Sequence, residues 1–118
     1  MTSGSSPTNA NTAKLSELIG LVREFCEARN WDSYHSLKNL AIGAVTEAAE
    51  LVEPYRFLND QESDAYAKTA SGRENLEDEL ADVLFFLLRI AQRYDVDLGQ
   101  ALRRKIQKNA IKYPPPQK

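Results

Sequence analysis

An all-α fold, a four-helix antiparallel bundle that assembles into a homo-oligomer, is what this chain of 118 residues predicts. Three observations lead there. Four segments repeat apolar residues at three- and four-residue spacing, which lines up one face of a helix. No segment makes a convincing strand. The links between the segments are mostly short, so successive helices are expected to turn back on one another.

The first segment runs from about Lys14 to Arg29, with Leu15, Leu18, Ile19, Val22 and Phe25 on one face. The second follows "WDSYH", where Asp32 or Ser33 can accept from free helix N–H groups. It carries Leu37, Leu40, Ala41, Ala44, Val45, Ala48, Leu51 and Val52. Pro54 lacks an N–H and presses on the carbonyl of Glu50, so a stop or kink belongs there. "LNDQESDAYAKTASG" is polar and turn-rich, with room for one short helical turn. Ser71, Gly72, Arg73 and Glu74 then read as a capping box for a third helix reaching about Tyr94. That helix is the most apolar: from Leu80 to Ile90 its only charges are Asp82 and Arg89. Apolar residues around most of its circumference predict burial by its own chain and by other subunits, with Asp82 where water is scarce. The fourth helix starts at Asp97, with Gln100 at the reciprocal position, and ends before the prolines of "YPPPQK".

The chain is long enough for one domain and short for two cores. Residues 1–12, rich in Ser, Thr and Asn, read as a disordered tail, 13–113 as the domain, and 114–118 as a proline-rich tail. A formal net charge of −2 gives no global basic field, which argues against nucleic-acid polymers and acidic membranes. No apolar run approaches the roughly twenty residues of a membrane span, and the N-terminus lacks a secretory apolar core. Cys26 is the only cysteine, so no disulfide forms within the chain; it reads as a packed residue in a reducing, cytoplasmic setting.

Two acid pairs stand out. Glu47 and Glu50 lie three apart in "TEAAELVEPYRF", and Glu79 and Asp82 three apart in "ELADVLFFLL". Residues at that spacing project from one helix face, with Cβ atoms about 5–6 Å apart. One such pair alone is ordinary on a solvated face, as Glu74, Glu77 and Asp78 are in a first helical turn. Two pairs embedded in apolar sequence on successive helices would converge if those helices pack antiparallel. Four negative charges in low dielectric require protonation or a cation. A hard divalent ion such as Mg²⁺ suits all-oxygen ligands and is commonly shared with substrate phosphates. Zinc favours Cys and His, scarce here, and the only acid-x-x-His is Asp32–His35, away from the pairs.

With both pairs in view, the chain from Leu15 to Pro114 resembles the MazG-like superfamily of all-α nucleoside triphosphate pyrophosphohydrolases, and within it the dCTP pyrophosphatase branch. The resemblance rests on "RNWDSYHSLKNLAIGAVTEAAELVE", on "LEDELADVLFFLLRIAQRYDVDL", and on Lys105, Asn109, Tyr113 and Pro114 at the end. It implies Mg²⁺-dependent cleavage of a nucleoside triphosphate to monophosphate and pyrophosphate, with dCTP or a modified dCTP the leading substrate and dATP or dUTP as others. Glu47, Glu50, Glu79 and Asp82 would be the catalytic, metal-binding carboxylates, with Glu47 or Glu50 orienting the water. A tetramer is the implied assembly, with a dimer as the alternative.

Lys38, two to three turns before Glu47, suits a phosphate contact, and Lys105, Asn109 and Tyr113 form a stripe on the last helix. By resemblance, that end helps close the nucleotide site, and Trp31 and His35 fall in the base-pocket region. Phe57 stands where the relatives carry tryptophan and Phe86 where a tyrosine is expected. Trp31, Phe57 and Phe86 can serve either as stacking platforms or as packing. The competing functional class is a non-catalytic helical interaction module of the same fold, in which the acids are structural; a third reading is a hydrolase of another phosphoanhydride, with no base preference.

Overall fold

The computed structural model describes residues 14–117; the tail expected at 1–12 lies outside them. The described residues form five helices and no strand: α1 (Leu15–Ala28), α2 (Leu37–Val52), α3 (Asp60–Ala67), α4 (Ala70–Arg93) and α5 (Leu98–Lys112). Single 3-10 turns occupy Asp32–Tyr34 and Glu53–Tyr55. The all-α class holds, but with five helices instead of four. The extra one is α3, in the stretch expected to hold a single turn. Asn59 accepts from the Glu62 N–H, and the Glu62 carboxylate accepts from the Asn59 N–H, a reciprocal cap that starts eight residues of helix.

Other boundaries shift for the same local reason. Ser36, not Asp32 or Ser33, caps α2 by accepting from Asn39 N–H at 3.1 Å. Thr69, not Ser71, caps α4 by accepting from Gly72 N–H. Asp97 caps α5 and accepts from Gln100 N–H, as its position suggested. Pro54 falls in the 3-10 turn just after α2, where its missing N–H and fixed φ end the α-helix. Helices α1 and α4 end alike: Asn30 (φ 57°) and Asp95 (φ 54°) adopt left-handed backbone. There the Trp31 N–H reaches back to Cys26 O and the Val96 N–H to Ala91 O. Short polar side chains tolerate that conformation, and the resulting motif turns the chain sharply. At the end of α1 it sets Trp31 and the Asp32–Tyr34 turn.

Helix α4 is the spine, with α1, α2 and α3 all packed on it. Helices α2 and α4 run antiparallel, because Gly43 faces Phe86 and Glu50 faces Glu79, numbering rising on one as it falls on the other. The approach is close at Gly43, where a Cβ would sit 2.3 Å from the Phe86 ring. It is closer still at the α3–α4 corner, where a Cβ on buried Gly72 would meet the Tyr66 carbonyl at 1.8 Å. The fully buried apolar residues are few: Cys26, Leu40, Leu88 and Ala91. Burial raises the pKa of the Cys26 thiol, so it stays neutral and packed, as expected.

Two expectations for α4 change within the single chain. Asp82 is exposed, and the buried charge is Arg89. Leu80, Leu84 and Leu87 are 50, 41 and 44 % exposed, so one apolar face of the spine is uncovered by its own chain. Helix α5 packs only sparsely on the others, leaving Leu102, Ile106 and Ile111 exposed.

Candidate metal centre

Antiparallel packing of α2 on α4 brings the acid pairs together. Carboxylate oxygens of Glu47, Glu50 and Glu79 all lie within 4.8 Å of one another. Asp82, one turn beyond Glu79, adds its charge beside Glu47 and strengthens that group's hold on its proton. Glu47 and Glu79 are half-buried, Glu50 and Asp82 exposed.

The field these groups make is visible in their proton affinities. Burial first, then the neighbouring charges of Glu50, Asp82 and Glu79, raise the pKa of Glu47 above its ordinary 4.5. Burial first, then Glu50, Asp82 and Asp78, raise that of Glu79. Desolvation and like charge act in the same direction on an acid. No ion pair among the described residues reaches the four: arginines pair with Glu53, Glu77 and Asp32 instead. Glu79 Oε2 is buried with no hydrogen-bond partner. An acidic cluster without a protein cation, containing an orphaned buried oxygen, fits a hard divalent ion bound through oxygen.

The expected substrate residues fall into two groups. Phe86 is half-buried against Gly43, with its ring 5.7 Å from Phe85, on the same face of α4 as Asp82. Trp31 and His35 lie at the other end of α2, their rings 5.8 Å apart, with Phe25 edge-on to Trp31. Lys38 is exposed in the first turn of α2, beside an apolar groove formed by Ala41, Ile42, Val45 and Thr46. The second group is not gathered by one chain. Phe57 is 85 % exposed, with the guanidinium of Arg56 over its ring. Lys105, Asn109 and Tyr113 sit on or just after the loosely packed α5, and Tyr113 contacts its neighbour Lys112.

Two residues near these groups were not singled out as site residues from sequence. Asn75, one turn before Glu79 on α4, has a buried amide nitrogen without a partner. A polar residue four before a candidate ligand was a readable signal. Arg89 is the other, and its signal was plain: a lone cation inside an apolar helix.

A spine helix carrying acids toward an antiparallel neighbour, with a carboxylate cluster between them, defines a class of all-α proteins with an acidic centre between two helices. The chain belongs to the MazG-like family, whose model matches residues 42–118. It is 36 % identical over 100 residues to the mouse (Mus musculus) protein named dCTP pyrophosphatase 1, and 34 % identical to the human (Homo sapiens) protein of that name. Each match covers 85 % of this chain and 59 % of the relative, so the chain spans about three fifths of the length of these curated relatives. Among solved structures it superposes on a pyrophosphatase from Archaeoglobus fulgidus with a TM-score of 0.81 and 33 % identity, covering 88 % of this chain and 95 % of that one.

Proposed function

We propose that the protein is a Mg²⁺-dependent nucleotide pyrophosphohydrolase that cleaves a deoxynucleoside triphosphate, dCTP or a modified dCTP, to the monophosphate and pyrophosphate. The observation that carries this reading is the convergence of Glu47, Glu50 and Glu79, with Asp82 beside them, where no cation of the described residues forms an ion pair with them. The names of the mouse and human relatives supply the substrate class, and the Archaeoglobus protein the reaction class. The task suits a house-cleaning enzyme of the nucleotide pool.

Glu47, Glu50, Glu79 and Asp82 would hold the ion, and the orphaned Glu79 Oε2 is a donor ready for it. When bound, Mg²⁺ would neutralise the triphosphate and stabilise charge that builds in the transition state. Glu47 or Glu50 orients the attacking water toward the α-phosphorus, and pyrophosphate leaves. Lys38, Lys105 and Asn109 are assigned to the phosphates. Trp31, His35, Phe57, Phe86 and Tyr113 are assigned to the nucleoside, where stacking on an aromatic face is worth about 1–3 kcal/mol per base. Helix α5 packs only sparsely on the other helices, and this assignment goes with a homo-oligomer, a tetramer by preference, in which Lys105 and Asn109 serve a neighbouring site.

A hydrolysis panel tests the proposal: the common dNTPs and NTPs and 5-methyl-dCTP, with and without Mg²⁺, with products resolved. Monophosphate and pyrophosphate from dCTP-type substrates, only with metal, are expected. Diphosphate and orthophosphate would overturn the reaction class. No turnover by a folded oligomer would replace the enzyme with an interaction module.

A further inference from the structure

Arg89 is fully buried, one of the largest side chains to be so. A buried guanidinium is tolerated only when its donors are paired. Here Nη2 meets Asp32 in an ion pair, Nη1 donates to Gln92 Oε1, and Nε donates to His35 Nδ1 at 2.9 Å. Arg93 approaches the other Asp32 oxygen at 3.8 Å. Thus the Asp32–Tyr34 turn, which carries the chain into α2, is held to the end of α4 by one buried cation.

The contact with His35 has a chemical consequence. Arginine has five donors, no acceptor, and keeps its charge. The imidazole nitrogen that faces it must offer a lone pair. In a neutral ring the proton then resides on Nε2. Burial, followed by the charges of Arg89 and Arg93, lowers the His35 pKa against the opposing pull of Asp32, which keeps the ring neutral near pH 7. Nε2 donates to none of the described residues, nor is it among their buried unpartnered atoms, so it is open to a ligand beside the Trp31 ring.

We infer that Arg89 is a positioning residue for base recognition: by donating to His35 Nδ1 it fixes the Nε2–H tautomer, so that His35 presents one donor and no acceptor. The ligand chemistry this fits is a base edge that accepts, such as the N3 of cytosine. The N3–H of thymine or uracil would face it donor to donor. Seven residues separate Asp82 from Arg89, about 10 Å along the helix, a reach suited to a nucleoside whose phosphates lie at the carboxylates. The inference rests on the pyrophosphohydrolase reading for its ligand, but not for the tautomer.

His35 is the only histidine, so a two-bond ¹H–¹⁵N correlation spectrum of the labelled full chain, free of any tag, reports on it alone. At pH 7 the wild type is expected to show a neutral ring protonated at Nε2, and dCMP is expected to shift that nitrogen where dTMP shifts it less. A ring protonated at Nδ1, an even mixture of tautomers, or an imidazolium overturns the role of Arg89. In Arg89→Met the tautomer is expected to become mixed, with KM for dCTP raised about tenfold, the value of one lost hydrogen bond, and kcat affected less. Arg89→Lys, which restores a donor, should recover part of both. A fixed tautomer in Arg89→Met overturns the inference. If Arg89→Met does not fold, the wild-type spectra still decide. Turnover of dCTP together with the wrong tautomer would remove this inference and leave the enzyme; the right tautomer with no nucleotide bound would remove the enzyme reading and the base contact with it.

Discussion

Glu47 and Glu79 hold their protons more tightly than ordinary carboxyl groups, so a divalent ion bound there would compete with protons for the same oxygens. A raised folded-state pKa stabilises the metal-free fold below the unfolded value, and that contribution is lost as pH rises through the folded value. Adding a divalent cation should reverse the trend, because the ion favours the deprotonated cluster. Affinity for Mg²⁺, followed by calorimetry, is thus expected to weaken as pH falls, beginning above the usual range near 4.5. Affinity that stays level down to pH 4.5 would show that the ion binds elsewhere. The amides Glu50→Gln and Asp82→Asn keep shape and remove one charge each from positions that are exposed in the chain. They should preserve helicity and lower kcat by about 10²–10³-fold, the scale of a lost charge on metal or phosphate. Wild-type rates in either variant would end the case for the metal centre.

Among the helices, the glycines give a direct test of packing. A Cβ on Gly20 in α1 would meet nothing within 4 Å, so Gly20→Ala should raise stability by about 0.5–1 kcal/mol through backbone entropy alone. At Gly72 the added Cβ runs into the backbone carbonyl of Tyr66, which cannot rotate away, and Gly72→Ala should lose about 1–3 kcal/mol. Urea titrations at one protein concentration would separate the two; a Gly72→Ala chain as stable as the wild type would mean that α3 does not pack on α4 as described. The long helices were legible because their apolar periodicity is strong. Helix α3 was not, since it is polar on most sides and its start depends on the Asn59–Glu62 cap. Thr69 and Ser36 displaced the expected caps by two to four residues for a similar reason: several Ser, Thr and Asp compete locally, and tertiary contacts choose among them. Asp32 is the clearest case, drawn away from α2 by Arg89. The spacing of the acid pairs put each on one helix face, and the antiparallel packing of α2 on α4 then brings Glu47, Glu50 and Glu79 together. Arg89 and Asn75 were visible as a lone cation and a polar neighbour, but their partners are set only when distant segments meet.

For the molecule as a whole, the single chain leaves too much of its apolar surface open. Its radius of gyration is 17.7 Å, against about 13 Å for a compact chain of this length. One open groove runs between Leu18, Leu21 and Val22 of α1 and Ala81, Leu84, Phe85 and Leu88 of α4. A second follows Ile42 and Val45 along α2. Leu102, Ile106 and Ile111 are exposed on α5, which packs only sparsely on the rest of the chain. At about 25 cal/mol per Å² of apolar area, covering such faces on assembly stabilises the chain. Assembly and folding should therefore be linked, with a melting temperature that rises with protein concentration and a sedimentation mass that is a multiple of 13.3 kDa. Leu84→Glu, which puts a charge on the open face of α4 while leaving the buried Leu88 and Leu40 in place, is expected to lower the oligomer mass and, with it, nucleotide turnover. A wild-type chain that sediments at 13.3 kDa with full activity would show that α5 reaches the carboxylates of its own chain and that the exposed leucines have no partner to meet.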